Sequence, residues 1–342
     1  MIWRTAPLLF LLACRGELLP TPPGTAPVDD VPPAAAADGG APLQDAALGD
    51  SAPADAAWPS SPVPTVGADD TLDLASWNVR WFGAVDEGPR DKALQASRVR
   101  DVLAGVRADL WAFAEIVDGE RLRRTVATLP GWQTLLPGDA VVTGGAQAYG
   151  PTEQKVALAY DGNVLRIASA RVILADSSFD FAGRPPLEAA VEYRSPTGAT
   201  RAFTVVAVHL KAGSDEESWG RRERSAIALK AYLDARAEKD PVFVIGDWND
   251  ELAQSKSGNR PSPFAGLVAD EARYTFLSRG FEGAGETTMV SERVVNDHQM
   301  MTRAAAPWYQ PGTAAILRLD RYFDRYGETT SDHFPVVSRF RP

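Results

Sequence analysis

The segment VFVIGDWND, residues 242–250, constrains the fold of this chain more than any other stretch. Its run of β-branched and aromatic residues predicts a buried strand. The run stops at Gly246, and Asp247, Asn249 and Asp250 follow within four positions. A buried strand that ends in this way brings carboxylate and amide groups to the edge of a sheet, where ligands bind. Taken alone, the segment fits a simple polar turn equally well.

A crossover unit is predicted to lead into this strand. Residues 202–208 (AFTVVAV) predict a strand that runs into His209, and residues 221–237 predict a helix with one apolar face. A strand, a helix and a second strand in this order form parallel neighbours in one sheet. We therefore expect His209 and Asp247 at equivalent ends of adjacent strands.

Glu115 lies inside a second predicted buried strand, residues 110–116 (LWAFAEI). A carboxylate buried there without a partner costs several kcal/mol, so Glu115 must be paired or metal-bound. From this stretch alone, a metal ligand and a core salt bridge both remain open.

The rest of the domain alternates predicted strands and helices. Strands are predicted at 71–79, 155–160, 164–174, from 294–298 and after 331–336, and helices at 91–108 and 121–129. The turn at residues 161–163 (DGN) predicts that the strands on either side of it form a hairpin. Residues 251–285 are predicted to be irregular and to lie over the active face.

The N-terminal residues predict export. Residues 1–14 carry one early cation, Arg4, and an apolar run too short to span a bilayer. The ending LLAC resembles the lipobox of bacterial lipoprotein signals, which makes Cys14 the acylated first residue of a cell-envelope lipoprotein. Ordinary signal cleavage, giving a secreted protein, is the alternative. Cys14 is the only cysteine, which excludes disulfides, thiol catalysis and a cysteine metal site.

Residues 15–70 are rich in Pro, Ala and Asp, and they predict a disordered tether before a domain at 71–342. Residues 1–70 hold two basic and nine acidic residues of the chain's 35 and 45, so 33 and 36 remain in the domain. A domain so close to neutral argues against a large static nucleic-acid-binding surface. It still permits an enzyme that contacts a phosphate through a metal ion.

The chain has three histidines, His209, His298 and His333, and each lies at a strand start or end beside polar residues. This placement favours a functional cluster. His298 points away from Asp297 if both lie on one strand, so we expect it to be structural.

Six short motifs follow one another in a fixed order: SWNV (76–79), AFAEI (112–116), VHLKAG (208–213), GDWND (246–250), NDH (296–298) and SDH (331–333). This set resembles the endonuclease/exonuclease/phosphatase family, the DNase I-like hydrolases, from about residue 71 to the end. The resemblance implies a four-layer α/β sandwich with two central mixed β-sheets and helices outside. Periodicity alone gives only the α/β class.

The resemblance also implies a metal site. By motif position, Glu115 is the principal Mg²⁺ ligand, with Asn78 near the metal or the phosphate and Asp332 as a further metal or water ligand. Mn²⁺ or Ca²⁺ are possible replacements for Mg²⁺. Oxygen-only ligands suit such hard cations. Asn78 is also a candidate substrate contact, and so is Lys155, for which a solvated strand end is the alternative.

Catalytic roles carry over in the same way. Asp247 and Asn249 position the nucleophilic water and the phosphate oxygens, and Asp297 orients His333, the general base. His209 resembles the general acid or phosphate-contacting histidine of the DNase and phosphatase branches. A histidine backed by a carboxylate can act as a base near neutral pH.

Three features depart from the family pattern. Arg80 stands where abasic-site endonucleases carry an acidic residue, which disfavours that branch. The acid that pairs with the first histidine in pancreatic-type DNases is not evident, although Glu153 or Gln154 falls near its place. The essential disulfide of those DNases is absent.

These observations predict a metal-dependent phosphoesterase that hydrolyses phosphodiester bonds, foremost a monomeric nuclease of low sequence specificity. We expect the protein to be tethered to a membrane through acylated Cys14. The alternative enzyme is a phosphatase or phospholipase C-type hydrolase of phospholipid, sphingomyelin or inositol phosphate. A non-catalytic binding module on the same fold is the third possibility.

Overall fold

A computed structural model describes residues 58–342, which form thirteen strands and six α-helices. The strands are β1 (Leu72–Phe82), β2 (Leu110–Ile116), β3 (Trp132–Leu135), β4 (Val142–Thr143), β5 (Lys155–Asp161), β6 (Leu165–Val172), β7 (Leu187–Arg194), β8 (Thr200–His209), β9 (Val242–Asp247), β10 (Tyr274–Phe276), β11 (Asp297–Thr302), β12 (Ala315–Ile316) and β13 (Val336–Phe340). The helices are α1 (Lys92–Val106), α2 (Gly119–Val126), α3 (Glu216–Asp234), α4 (Ala265–Val268), α5 (Arg279–Gly283) and α6 (Tyr326–Thr329). Short 3₁₀ turns occupy Ala175–Ser177, Arg303–Trp308 and Leu319–Arg321.

The strands form two mixed sheets. The first has the order β12-β13-β1-β2-β5-β3, and the second has the order β10-β11-β9-β8-β7-β6-β4. Strands β1 and β2 run parallel, as do β8 and β9, whereas β13, β5, β7 and β11 run antiparallel to their neighbours. The predicted mixed sheets are therefore confirmed.

Three hydrophobic layers hold the sheets and helices together. Because side chains alternate along a strand, β1 directs Leu72 and Leu74 between the sheets and Trp77 toward α1 and α2. In the second sheet, β9 places Phe243 between the sheets and Val244 against α3. The order of layers is helices, sheet, sheet, helix, and the predicted α/β sandwich is confirmed.

Helices α1 and α3 begin at aspartate caps. The Asp91 side chain accepts a hydrogen bond from the Leu94 amide, and the Asp215 side chain accepts one from the Ser218 amide. A capping carboxylate satisfies an amide that has no partner within the helix and favourably meets the positive end of the helix dipole. Helix α3 then carries the chain from β8 back to β9, as the crossover unit predicts.

The predicted hairpin at residues 161–163 is wrong. Strand β5 pairs with β2 and β3 in the first sheet, whereas β6 pairs with β7 and β4 in the second. The turn therefore passes the chain from one sheet to the other. A turn sequence between two apolar runs indicates a reversal, but it does not reveal which partner each strand finds. Strands β3, β4, β7, β10 and β12 were not predicted.

The packed domain extends N-terminal to the predicted boundary at residue 70. Trp58 Nε1 donates a hydrogen bond of 2.8 Å to the Ala104 carbonyl, and Val63 is only 5% exposed. At Gly105 an added Cβ would come within 2.3 Å of the Val63 carbonyl oxygen, so only glycine admits this contact. The predicted signal peptide and residues 15–57 of the predicted tether lie outside the described residues. Within residues 58–342, no helix combines the length and the apolar character that a membrane crossing requires.

Candidate active site

The carboxyl ends of the parallel pairs β1–β2 and β8–β9 meet at one rim of the sandwich. In the first sheet this end carries Asn78 on β1 and Glu115 on β2. In the second sheet His209 on β8 lies in register with Asp247 on β9, and Asp247 lies in register with Asp297 on β11. Strand direction and register thus gather five of the predicted residues at one edge.

Asn78 joins the two sheets at this rim. Its Nδ2 donates to Glu115 Oε1 and to Asp247 Oδ2, each over 2.9 Å. Its Oδ1 accepts a bond from the Arg80 amide, which fixes the orientation of the side-chain amide. Asn78 is 1% exposed, so this bridge lies beneath the floor of the site rather than on its surface.

His209 faces both carboxylates. Its Nε2 lies 3.5 Å from Asp247 Oδ2 and 3.9 Å from Glu115 Oε1. Burial, followed by the positive charge of Arg184, lowers the pKa of His209 well below its usual value. The ring is therefore neutral at physiological pH and offers one N–H donor.

His333 and Asp297 form the predicted pair. His333 Nδ1 lies 2.8 Å from Asp297 Oδ2, and His333 Nε2 lies 4.0 Å from Asp247 Oδ2. Burial disfavours the charged ring, but Asp297 and Asp247 outweigh it and raise the pKa of His333 to about 10. The backbone is fixed by Ser331, whose hydroxyl accepts from the His333 amide and donates to the Asn78 carbonyl.

Two site residues have backbone angles that non-glycine residues rarely adopt. Glu115 has φ of 64° and Asn249 has φ of 59°. Such conformations persist only where the surroundings enforce them, and they cluster at functional sites. Glu115 Oε2 accepts from the Trp81 amide over 2.9 Å, and the Asn249 amide donates to Asp247 Oδ1 over 2.9 Å. These hydrogen bonds hold the two residues in the conformations that place their side chains at the site.

The charges and donors at this rim fit a divalent cation. Ligand atoms of Asp247, Asp297 and His333 all lie within 4.8 Å of one another. Asp297 Oδ1 is buried without a hydrogen-bond partner among the described residues. Burial raises the pKa of Glu115 and of Asp247, so both carboxylates gain stability from a nearby positive charge. Oxygen donors of this kind suit a hard cation such as Mg²⁺.

Two predicted residues have other contacts. Asp332 Oδ2 lies 3.4 Å from Arg80 Nε in a half-exposed ion pair beside the site. The Lys155 ammonium donates to the carbonyls of Pro151 and Glu153 over 2.9 and 3.2 Å. The structure thus brings neither side chain into hydrogen-bond contact with the carboxylates of the site.

Gln154 bonds to Arg184 and not to His209. Its Oε1 accepts a bond of 2.6 Å from Arg184 Nη1, and Arg184 Nη2 donates 2.8 Å to the Leu210 carbonyl. His209 Nδ1 has no partner within residues 58–342, so neither Glu153 nor Gln154 pairs with this histidine.

Arg184 and Lys256 are site residues that the sequence analysis missed. Arg184 is 8% exposed, and the charges of Glu115 and Asp247 act on it. Lys256 Nζ lies 3.5 Å from Asn249 Oδ1, and burial lowers its pKa. Both side chains come from irregular loops, where periodicity gives no indication. In the sequence, each of the two is a single cation that follows a small residue, Gly183 or Ser255, and this pattern does not indicate a site.

His298 is structural, as expected. Its Nδ1 lies 2.7 Å from the Ser278 hydroxyl, and its Nε2 lies 2.9 Å from the Asp250 carbonyl. Burial lowers the pKa of His298 to about 4, so the ring stays neutral and braces the loop after β9.

Comparison with known proteins agrees with this geometry. Residues 75–333 match the sequence profile of the Endonuclease/Exonuclease/phosphatase family. No curated protein sequence matches the chain significantly.

Three solved structures share the fold at low sequence identity. D. rerio TDP2 complexed with single strand DNA product has a TM-score of 0.54 and 14% identity, and the alignment covers 80% of this chain and 100% of that one. The endonuclease/exonuclease/phosphatase from Beutenbergia cavernae DSM 12333 has a TM-score of 0.54 and 17% identity, with 80% and 72% covered. An AP endonuclease from Archaeoglobus fulgidus has a TM-score of 0.52 and 12% identity, with 79% and 100% covered. The profile match covers most of the chain and reaches from the first strand to the last site histidine, so the chain belongs to the endonuclease/exonuclease/phosphatase family.

Proposed function

We propose that the protein is a divalent-metal-dependent phosphodiesterase, and specifically a nuclease of low sequence specificity. One observation carries the proposal: the His333–Asp297 pair faces Asp247, and Asp247 is within 4 Å of polar atoms of both Asn78 and His209. A base with a carboxylate behind it, placed beside a carboxylate-lined cation site, is what phosphodiester hydrolysis requires.

The family and its structural relatives support a nucleic acid substrate. The D. rerio TDP2 structure described above contains a single-strand DNA product. Two cations, the buried Arg184 and the partly buried Lys256, lie at this rim and favour an anionic substrate. Contacts to phosphate rather than to base edges carry no sequence information, which is why we expect low specificity.

Glu115 and Asp247 would hold the cation, with Asp297 Oδ1 at the same rim. Asn78 would position both carboxylates through Nδ2 rather than bind the cation, because its Oδ1 already accepts from the Arg80 amide. When bound, Mg²⁺ masks the negative charge of the phosphodiester and of the departing oxygen. The proposed Mn²⁺ and Ca²⁺ replacements supply the same charge through the same oxygen donors.

His333 accepts the proton of the attacking water. A bond forms between the water oxygen and phosphorus while the phosphorus–oxygen bond to the leaving alcohol breaks, and the alcohol oxygen takes a proton from solvent. His333 must be neutral to act in this way. The charges of Asp297 and Asp247 raise the pKa of His333, and a cation bound to Asp247 would offset part of this effect. Asp297 then stabilises the imidazolium that forms, through Nδ1.

Neutral His209 contacts a phosphate oxygen. Because burial keeps its pKa low, it donates an N–H bond from Nε2 rather than a proton. Of the two roles expected for His209, the phosphate-contacting role is thus the one that its surroundings favour. Asn249 lies beside it and donates from Nδ2 to the Leu210 carbonyl over 3.2 Å.

We also propose that the protein is exported and held at a membrane through acylated Cys14. The apolar run that ends in LLAC supports this placement. It would keep the domain at the cell envelope, where extracellular phosphodiesters are available.

A substrate panel tests the proposed activity. The protein is incubated with plasmid DNA, single-stranded oligonucleotide, sphingomyelin vesicles and an inositol phosphate, each with Mg²⁺, Mn²⁺, Ca²⁺ or chelator. We expect cleavage of both DNA substrates that chelator abolishes and that His333→Ala lowers by about 10³-fold. Hydrolysis of the lipid or the inositol phosphate alone would identify the alternative enzyme. If no substrate is hydrolysed with any metal, a non-catalytic binding module would be the remaining alternative.

A further inference from the structure

Lys256 reaches the catalytic rim from the loop after β9. Its Nζ lies 3.5 Å from Asn249 Oδ1 and 3.3 Å from Asn296 Oδ1. Asn296 directly precedes Asp297, the partner of His333. The ammonium group thus lies between two of the motifs that form the site.

The loop that carries Lys256 is rigidly built. Ser255 and Ser257, on either side of it, are only 5% and 6% exposed. The Ser255 hydroxyl donates to Asp250 Oδ2, and the Lys256 amide donates to Asp250 Oδ1, each over 2.7 Å. Asp250 therefore fixes the backbone on which Lys256 stands.

Asp250 is in turn anchored to helix α3. Its carboxylate pairs with Arg222 over 2.8 Å, and both side chains are 0% exposed. Arg222 also donates from Nη2 to the Ser257 hydroxyl over 2.7 Å. Burying two charges is costly, and the hydrogen bonds that Arg222 and Asp250 make to residues 255–257 tie this loop to the helix. The conformation fixed here is the one that directs Lys256 into the site.

The contacts of Lys256 distinguish it from a structural lysine. Its hydrogen-bond acceptors are two neutral amide oxygens, and the negative charges of Asp247 and Asp250 act on it without a hydrogen bond to either carboxylate. Asp250 is already satisfied by Arg222, Ser255 and backbone amides. A partly buried cation that makes no ion pair with the described residues has lost hydration without gaining a counter-ion in direct contact. An arriving anion would supply that counter-ion.

We propose that Lys256 binds the phosphate group undergoing hydrolysis through a non-bridging oxygen. The inference rests on the proposed phosphodiesterase function and adds a substrate contact to it. Asn249 and Asn296 accept hydrogen bonds from the ammonium group, and a compact point charge of this kind can meet a phosphate oxygen.

Three substitutions test the contact. Lys256→Met removes the charge, Lys256→Gln keeps donor atoms without charge, and Lys256→Arg keeps the charge. Lys239→Met is the matched control, because Lys239 is exposed and precedes the opposite end of β9. Each protein is assayed for kcat and KM on single-stranded oligonucleotide and on bis(p-nitrophenyl) phosphate. Binding of inorganic phosphate in the presence of Mg²⁺ is measured by calorimetry, and folding by thermal denaturation.

We expect Lys256→Met and Lys256→Gln to weaken phosphate binding and to lower kcat/KM on both substrates by about 10- to 100-fold, the effect of losing one charge-assisted hydrogen bond. Lys256→Arg should recover part of the loss, and Lys239→Met should match the wild type. Loss through misfolding alone would lower the melting temperature and would not be relieved by arginine.

The outcomes separate the two proposals. If wild-type protein hydrolyses no phosphodiester, the proposed function fails, and the phosphate titration still decides the role of Lys256. If wild-type protein is active, and folded Lys256→Met and Lys256→Gln bind phosphate and turn over within two-fold of it, Lys256 does not contact the phosphate.

Discussion

Asn78 and Asp247 are hydrogen-bonded to each other over 2.9 Å although they belong to different sheets. The same amide group of Asn78 also bonds Glu115, the residue expected to hold the cation. The catalytic rim is therefore a seam between the two sheets, and it forms only when they pack on the shared core. This explains how Asn78, Glu115 and Asp247, which are far apart in the sequence, converge at one edge.

Replacing Glu115 with glutamine should abolish the binding of Mg²⁺ and lower the activity. The amide keeps a carbonyl oxygen for Asn78 but removes the charge that a hard cation requires. We expect activity to fall by at least about 10²-fold and the Mg²⁺-induced rise in melting temperature to disappear. Thermal denaturation with and without Mg²⁺ measures the second effect. Glu120→Gln, on the exposed face of α2, is the control, and an unchanged Mg²⁺ response in Glu115→Gln would contradict the assignment.

Asp297→Asn should lower kcat without changing the fold. The asparagine oxygen can still accept from His333 Nδ1, so the ring keeps its position while the charge behind it is lost. We expect a decrease in kcat of about 10²- to 10⁴-fold. Because the two residues act as one unit, Asp297→Asn/His333→Ala should be no worse than His333→Ala alone. Losses that multiply in the double variant would show that the two residues act independently.

Much of this site follows from the sequence because motif positions coincide with strand ends. A buried strand that ends in Gly246 and Asp247 defines a sheet edge, and the parallel crossover from His209 defines its neighbour. Arg184, whose positive charge acts on His209, could not be found in this way, because it comes from a loop that has no period. Lys256 was missed for the same reason.

The pairing of strands was harder to predict than their existence. The apolar run of β5 predicts a strand. It does not reveal that this strand pairs with β2 and β3, because pairing depends on the packing of the whole domain. Residues 58–66 (WPSSPVPTV) fall within the predicted tether because they continue a segment that is rich in Pro, Ala and Asp. The few apolar side chains among them, such as Val63, nevertheless find a groove beside Gly105 that composition does not reveal.

Cys14 should carry lipid in cells that process bacterial lipoproteins. Cys14→Ser removes the only thiol of the chain, and with it the acylation site. We expect labelled palmitate to be incorporated into wild-type protein and not into Cys14→Ser, which should leave the membrane fraction. The activity of the purified variant should be unchanged. Equal labelling of the two proteins, or a soluble wild-type protein, would contradict the proposed anchor.

The buried Arg222–Asp250 pair should be much more sensitive to loss of one partner than to loss of both charges. Arg222→Met leaves a carboxylate with no exposure and no cation, which costs about 3–5 kcal/mol of unfolding free energy. Adding Asp250→Asn should recover part of that loss. Urea denaturation of the two variants measures the difference, and Arg325→Met, an exposed arginine, is the control. A single variant as stable as wild type would show that the pair contributes no net stabilisation.

Asp109 should make stability fall as pH rises. It lies at the opposite end of β2 from Glu115, where burial raises its pKa to about 8 although it accepts a hydrogen bond from the Asp73 amide. In an unfolded chain the pKa of an aspartate is about 3.9. Between these values the folded protein keeps a proton that the unfolded chain has released. The contribution of Asp109 is therefore largest at low pH and is lost between about pH 4 and pH 8, by at most about 1.4 kcal/mol per pH unit.

Asp109→Asn should remove this dependence, because asparagine can accept the same bond from Asp73 and never ionises. The stability of the variant minus that of wild type should thus become more favourable as pH rises from 5 to 8. Urea denaturation at each pH measures this difference, in which the contributions of all other groups cancel. Asp69→Asn, at an exposed position, is the control substitution. A difference that stays constant with pH would mean that Asp109 is ionised in the folded protein.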